Sequence, residues 1–199
     1  MKVFGKYDLE SVEIRDPSLK TVISLENPRV HSFGRHSKRP LGKMNINVVE
    51  RLVNKLMRGG TGEKTSGKVI RTRGRLQGKK LRVMKSVEEA FEIIEKRTKK
   101  NPVQVLVDAL ENSAPREDVT RVAYGGVSYQ IAVDVSATRR IDLALRNMAL
   151  SALMRTFNKP TSLGQSLAQE IIYTADKDVQ NSYAIKKRDE VERMARSAR

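Results

Sequence analysis

One segment of the chain carries strongly unbalanced charge. Residues 58–85 hold ten basic side chains and a single acidic one, Glu63. Repulsion among like charges opposes compaction, so a segment of this kind needs an anionic partner. The sequence on both sides has the apolar periodicity of folded helices. The pattern therefore predicts a globular body that presents a cationic loop, which is typical of nucleic-acid-binding proteins.

The charge of the whole chain indicates the same class of partner. The formal net charge is +16 over 199 residues, and the isoelectric point is near 10.2. Because each Lys or Arg placed on a phosphate releases a counterion, affinity should fall steeply with salt. A thermophile surface is the alternative, but such surfaces usually mix both signs of charge. The sequence shows neither an apolar run of the roughly 20 residues that span a bilayer nor a signal-peptide pattern, so we expect a cytoplasmic protein with no membrane partner.

Rare and missing residue types exclude several kinds of chemistry. The chain has no cysteine, which excludes disulfides, thiol catalysis, zinc fingers and iron–sulfur clusters. Its two histidines, His31 and His36, lie in a basic segment that lacks the other ligands of a usual metal site. We expect no cofactor, no metal and no enzyme activity. Aromatic residues make up 5% of the chain and Trp is absent, so recognition of phosphate and shape is expected in place of base stacking.

Residues 1–42 differ in pattern from the rest. Short apolar pieces alternate with charges and with Pro17 and Pro28, and the end of the segment is rich in basic residues. This composition predicts an extended N-terminal arm, basic at its end, that becomes ordered on its partner. Residues 43–199 are expected to be a single helical domain with a basic loop at 58–85 and a β-hairpin at 118–135.

Five apolar stripes with helical spacing follow this arm. The segment from Ile141 has a second stripe on another side, which predicts a central helix. Local signals mark several helix ends. These signals are Gly59 and Gly60 after the first helix, a capping box of Ser86 and Glu89, Asn101 before Pro102, and a capping box of Ser162 and Gln165.

The period changes to two between residues 119 and 135. Gly125 and Gly126 separate the two halves of this segment and predict a two-residue hairpin turn. In that register Tyr124 faces Val127 and Val122 faces Tyr129, so one face of the ribbon is apolar. Because two strands alone are marginal in water, the hairpin is expected to lie on helices or on a partner.

Two further motifs have a functional and an ordinary interpretation. Residues 62–68 have the G-x-x-x-x-G-K spacing of a phosphate-binding loop, but Val69 stands where that loop needs Ser or Thr, and a helix precedes it in place of a strand. A flexible basic loop explains the same residues. Arg139 and Arg140 open the central helix, where the helix dipole disfavours cations. A bound phosphate would offset that cost, although both could be ordinary surface arginines.

Three motifs between residues 101 and 148 resemble the small-subunit ribosomal protein seven family. They are A-L-E-N at 109–112, the G-G and Y-Q pairs at 125–126 and 129–130, and V-x-x-x-R-R at 135–140. The sequence A-I-K-K-R-D-E-V-E-R-M-A at 184–195 is similar to the family's closing helix. The resemblance covers roughly residues 43–199. The long arm and the insertion at 59–85 resemble the archaeal and eukaryotic branch.

The resemblance implies a fold and a place in the ribosome. The fold is mainly α, a bundle of about six helices with one protruding β-hairpin and an extended basic N-terminal arm. The implied function is structural: binding to the 3′ major domain of small-subunit ribosomal RNA, nucleation of head assembly, and a position near the exit site for transfer RNA and near messenger RNA. Neighbouring small-subunit proteins of the head and platform are the implied protein partners.

The resemblance and the charge together select candidate site residues. Those expected to hold ribosomal RNA are Lys38, Arg39, Lys43, Arg71, Arg73, Arg75, Lys79, Lys80, Arg82, Arg139, Arg140 and Arg146. Those expected near messenger and transfer RNA are Arg121, Tyr124, Gly125 and Gly126. Two other functions stay open at this point: a DNA-binding regulator that places the helix at 138–157 in a major groove, and a nucleotide-dependent enzyme that uses residues 62–68.

Overall fold

The structure is a computed structural model, and it describes residues 1–59, 61–65, 68–72 and 74–199, with 61–65 and 68–71 described by their backbone. Strands β1 (Lys2–Val3) and β2 (Tyr7–Asp8) precede helices α1 (Pro17–Lys20) and α2 (Val48–Arg58). Strands β3 (Thr61–Thr65) and β4 (Lys68–Arg71) precede α3 (Lys80–Thr98) and α4 (Pro102–Ser113). Strands β5 (Glu117–Tyr124) and β6 (Val127–Asp134) precede α5 (Ala137–Thr156), α6 (Leu163–Ala175) and α7 (Tyr183–Ser197). In the described ranges six helices exceed one turn, which confirms the mainly α fold.

Capping side chains explain where three of these helices begin, and two of these caps were predicted from the sequence. The side chain of Asn101 accepts from the Val103 amide, and Pro102 occupies the first turn of α4, where no amide donor is needed. Ser162 and Gln165 form the capping box of α6. Asn47 caps α2 in the same way, and Gly59 follows its last residue. Cap chemistry therefore positions these helix ends locally, as the sequence predicted for α4 and α6 but not for the beginning of α2.

The helices surround a single apolar core. Helix α6 packs against α3, α4 and α5, while α5 also packs against α2 and α7. The α5 side chains Ile141, Leu145 and Met148 are fully buried, which confirms the central position that its two apolar stripes predicted. Each buried side chain of this size contributes roughly 1.5–3 kcal/mol through removal from water.

The N-terminal segment differs from the predicted arm. It has little regular structure, but its first 30 residues pack on the helices and do not extend from them. Val3 and Leu19 are fully buried, and Tyr7 lies edge-on against Phe91 of α3 with ring centroids 5.8 Å apart. The side chain of Glu111 in α4 accepts hydrogen bonds from two backbone amides, those of Arg15 and Asp16. These long-range contacts have no local period, so the sequence pattern did not reveal them.

The start of α3 also differs from the prediction. The helix begins at Lys80, inside the expected loop, and Ser86 lies within it and donates to the carbonyl of Arg82 at 3.3 Å. Glu89 does not close a capping box. It accepts from the Ser162 hydroxyl at 2.7 Å and so connects α3 to the beginning of α6. In its described residues the basic segment therefore contains the antiparallel pair β3–β4 and, after a stretch without regular structure at 74–79, the beginning of α3.

The hairpin of β5 and β6 has the predicted register. Tyr124 pairs with Val127 and Val122 with Tyr129, and Gly125 and Gly126 both have positive φ, +60° and +82°. A two-residue turn of this kind requires positive φ at both positions. Every residue from 120 to 131 is exposed, so the hairpin protrudes. Its base packs on α7, where Glu192 accepts from the Arg116 amide at 3.1 Å.

The motif residue Asn112 is a structural contact point. Its side-chain amide donates to the carbonyls of Thr174 and Ala175 at 3.1 and 2.9 Å, which satisfies two acceptors at the end of α6. Its own carbonyl accepts from Arg188 of α7. The A-L-E-N motif thus joins α4 to α6, to α7 and, through Glu111, to the N-terminal segment.

Candidate nucleic-acid interface

An open groove of about 740 Å³ lies between the end of the N-terminal segment and the start of α2. Four basic residues that line it are exposed: Arg29, Arg35, Lys38 and Arg39. The one carboxylate in its lining, Glu50, is buried. We call this cavity the first groove. An exposed surface with this charge is suited to bind phosphates.

Glu50 organises the first groove from below. Its side chain is 2% exposed and its Oε1 accepts from the Ser32 amide, from the Ser32 hydroxyl and from Lys80 Nζ, at 2.9, 2.9 and 2.6 Å. Burial opposes ionisation of Glu50, but the hydrogen bonds from Lys80 and Ser32 outweigh it and hold the pKa below its usual value. The contact fixes the loop that holds Ser32 to the first turn of α3.

A second acidic side chain, Asp142 of α5, holds three cations. Lys43, Arg51 and Lys55 all approach its carboxylate, the last two at 3.4 and 3.6 Å. Arg51 also donates to the carbonyl of Val22 at 3.1 Å. Three cations around one carboxylate leave an excess of positive charge in this cluster.

The pH dependence of stability tests this cluster. Burial raises the pKa of Asp142, but the Lys43 hydrogen bond and the charges of Lys55 and Arg51 lower it more, so its pKa lies below the usual value. A depressed pKa stabilises the fold above the unfolded value of about 3.9, and this contribution is lost as pH falls through the folded pKa. We expect Asp142→Asn to be less stable at pH 7 and to lose less stability than the wild type between pH 5 and 3. Urea titrations at pH 5 and pH 3 measure this loss. If the wild type and Asp142→Asn lose the same stability between the two pH values, the assignment is wrong.

A second open groove, of about 880 Å³, lies between the residues around the start of α3 and the junction of α5 with α6. Arg75, Arg82 and Lys159 line it and are exposed. Because Lys80 binds Glu50 beneath the first groove and Arg82 lines the second, the first turn of α3 connects the two. We call the exposed basic residues of both grooves the cationic surface: Arg29, Arg35, Lys38, Arg39, Arg75, Arg82 and Lys159.

The structure gives most of the predicted RNA-binding residues accessible positions. Lys38, Arg39, Arg75, Lys79, Arg82 and Arg146 are exposed. Lys43 is half-exposed beside Asp142, and Arg139 is exposed while it contacts Asp118 of the hairpin base at 3.2 Å. Arg73 lies outside the described residues, and of Arg71 only the backbone, in β4, is described.

Two predicted RNA-binding residues are held by acidic partners within the protein. Lys80 is mostly buried on Glu50. Arg140 is 6% exposed, lies 2.9 Å from Asp16 and also contacts the Ser18 hydroxyl. Asp16 keeps a lowered pKa because the hydrogen bonds from Ser18 and Arg140 outweigh its burial. This acid partner offsets the dipole cost of a cation at the start of α5.

The tip of the hairpin is fully accessible. Arg121, Tyr124, Gly125 and Gly126 are all exposed, and the Tyr124 side chain is among the most exposed large apolar groups of the described chain. The hairpin is attached through α7 and through Arg139, whereas the two grooves belong to α2, α3 and α5. The residues at the hairpin tip are therefore separate from the two grooves, although Arg139 of the ribosomal RNA group lies at the base of the hairpin.

Sequence reasoning missed three contributors to the site. Lys55 joins it through Asp142, and Lys159 through the second groove, and neither lies in a basic run. Phe33 lines the first groove with its side chain exposed. Its position between His31 and Arg35 was the available signal, since an aromatic residue among basic residues is typical of single-strand binding.

Comparisons with known proteins agree with this architecture. The family described as "Ribosomal protein S7p/S5e" matches residues 22–199. A Methanococcus maripaludis (strain C7) protein named "Small ribosomal subunit protein uS7" is 48% identical over 100% of this chain and 99% of its own length. An Archaeoglobus fulgidus protein with the same name is 48% identical over 99% of this chain and 94% of its own length. Among the described residues, no helix is both long and apolar enough to cross a membrane. The chain belongs to the ribosomal protein S7p/S5e family.

Proposed function

We propose that this protein is a structural component of the small ribosomal subunit that binds the 3′ major domain of the ribosomal RNA and nucleates assembly of the subunit head. The observation that carries the proposal is the cationic surface of the two grooves, both of which adjoin the first turn of α3: Lys80 contacts Glu50 of the first groove, and Arg82 lines the second. Membership in a ribosomal protein family supports ribosomal RNA as the polyanion. The role is binding and assembly, not catalysis, and it belongs to the cytoplasm.

The contacts to RNA are chiefly phosphate contacts. Arg and Lys side chains on a folded surface neutralise phosphates and release counterions, which supplies affinity, while the fixed shape of the two grooves supplies register. Double-stranded RNA is recognised in this way because side chains cannot read its deep major groove. The residues assigned to this role are Lys38, Arg39, Lys43, Arg71, Arg73, Arg75, Lys79, Arg82, Arg139 and Arg146. Lys80 and Arg140 support the surface from within.

The hairpin has a separate role in this proposal. Its tip, with Arg121, Tyr124, Gly125 and Gly126, extends beyond the body and would lie near exit-site transfer RNA and messenger RNA. The exposed apolar face of Val122, Tyr129 and Ile131 offers a surface to neighbouring proteins of the head and platform.

Reconstitution tests the proposal. Archaeal small-subunit ribosomal RNA would be assembled with its other proteins, with or without this chain, and head formation followed by sedimentation and electron microscopy. We expect particles with a formed head only when the chain is present. A head that forms equally well without it would contradict the assembly role.

The structure does not favour the two other functions. A DNA-reading helix needs a polar face in the groove, whereas α5 buries residues on several sides, including Arg140, Leu145 and Leu153. The segment that resembles a phosphate-binding loop follows helix α2, and its described residues form the antiparallel pair β3–β4, not a strand that leads through a loop into a helix. Nucleotide hydrolysis therefore has no scaffold in the described part of this segment.

A further inference from the structure

An exposed aromatic side chain stands at the rim of the first groove. The Phe33 side chain is 72% exposed, and its ring lies against the His31 imidazole with centroids 4.1 Å apart and planes tilted by 38°. The Phe33 amide donates to His31 Nδ1 at 3.0 Å, so Nδ1 is the acceptor and the hydrogen of the ring is on Nε2. The two rings form one platform whose outer side faces solvent.

The backbone at this platform is strained. Phe33 has φ +52°, in the left-handed region that a bulky residue with a Cβ rarely adopts. Because the phenyl ring is 72% exposed, burial of the ring contributes little to offset this strain. Strain of this kind persists where the surrounding structure enforces it, and it concentrates at binding sites.

The surroundings hold the platform in place. Ser32, the preceding residue, is bound to buried Glu50 through both its amide and its hydroxyl. The same hydroxyl lies 3.1 Å from Nδ1 of His36, which lines the groove. A Cβ on Gly42 would come within 2.3 Å of the His36 carbonyl oxygen, so glycine allows the two turns of this loop to pack together. The loop is therefore a built structure and not a loose tail.

We propose that the Phe33–His31 platform is a seat for one unpaired RNA base, which stacks on the exposed face of the Phe33 ring. This inference rests on the proposed function and adds a second mode of recognition to it. A base and an aromatic ring stack through their π faces, with little dependence on sequence. Arg35, Lys38 and Arg39 beside the platform bind the phosphates on either side of that base. A base inside a duplex cannot reach the ring, so the partner is a bulged, looped or terminal nucleotide.

The charge of the groove selects RNA over a protein as occupant. An apolar protein side chain would also cover Phe33, but it would bring the four exposed cations of the groove against a surface that must supply several acids. RNA supplies both the flat apolar group and the anions in one ligand.

Binding of the full chain to a transcript of the 3′ major domain tests the platform. We expect Phe33→Ala to bind roughly 5- to 150-fold more weakly, which is the usual effect of removing one stacking aromatic. The slope of log affinity against log salt should not change, because no phosphate contact is lost. Phe33→Tyr should bind as the wild type does. Val179→Ala is the matched control, since Val179 is 52% exposed, lies between α6 and α7, and lines neither groove.

Fluorescence gives a direct second measurement. The chain has no Trp, so Phe33→Trp introduces one emitter at the platform. Stacking on a base should quench its emission on addition of the transcript, in step with binding. If Phe33→Ala binds as tightly as the wild type and the emission of Phe33→Trp is not quenched, no base stacks on Phe33. A change in the salt slope of Phe33→Ala would also overturn the proposal. A wild-type chain that shows no preference for this transcript over unrelated RNA would instead overturn the proposed function, so the two failures are distinguishable.

Discussion

Replacing Glu170 with alanine is expected to lower the free energy of unfolding by about 3–5 kcal/mol. The change removes a buried carboxylate and leaves the groups that donate hydrogen bonds to it without an acceptor. Glu170 lies in α6 and its side chain is completely buried. It accepts from the Ser182 hydroxyl and the Ala184 amide at the start of α7, both at 3.0 Å, and from Arg155 of α5 at 3.1 Å. One carboxylate thus joins three helices.

Thermal and urea unfolding measure this effect. For a protein of this size a loss of 3–5 kcal/mol corresponds to a fall in Tm of roughly 6–20 °C. Glu190→Ala is the control, since Glu190 is a half-exposed acid of α7 in an ion pair with the partly exposed Lys187, and its change should stay within about 0.5 kcal/mol. If Glu170→Ala proves as mild as Glu190→Ala, the carboxylate does not join the helices.

Removing three cations of the first groove is expected to give the largest loss of RNA affinity. In the triple variant Arg35→Ala, Lys38→Ala, Arg39→Ala, the salt slope should fall by about two to three, since each phosphate contact contributes about 0.7–0.9. At 0.1 M salt that change in slope corresponds to roughly 100- to 500-fold weaker binding. All three residues are exposed, so stability should not change.

A matched variant separates the groove from general charge. Lys96, Arg97 and Lys100 are exposed at the other end of α3, and their replacement by alanine removes the same three charges. The 19 residues of α3 extend over about 28 Å, well beyond the screening length of about 8 Å at physiological salt. We expect this variant to keep most of the affinity. Equal loss of RNA affinity in both variants would mean that binding depends on the total charge and not on the first groove.

Local signals predicted those parts of the fold that local chemistry determines. The register of the β5–β6 hairpin follows from its period of two and from Gly125 and Gly126 at the turn. The beginnings of α4 and α6 follow from caps whose partners are within three residues. At α3 the local signal was overridden by tertiary contacts. Ser86 and Glu89 resembled a capping box, but the helix begins at Lys80, whose side chain binds Glu50 of α2.

The site was less predictable because its contacts join distant parts of the chain. Arg140 and Asp16 are 124 residues apart in sequence, and Lys43 and Asp142 are 99 apart. Composition gives the number of cations but not which of them a carboxylate already holds. Charge and resemblance therefore predicted an RNA-binding surface. Which basic residues are exposed on that surface could be read only from the folded structure.

Competition between two RNAs tests the central claim most directly. The chain would be bound to a transcript of the 3′ major domain of archaeal small-subunit ribosomal RNA, against an unrelated RNA of equal length, at several salt concentrations. The account predicts a steep salt dependence for both and a strong preference for the ribosomal transcript that persists at high salt, because shape and stacking do not depend on counterion release. Equal binding to both RNAs that disappears together as salt rises would contradict a specific ribosomal RNA site.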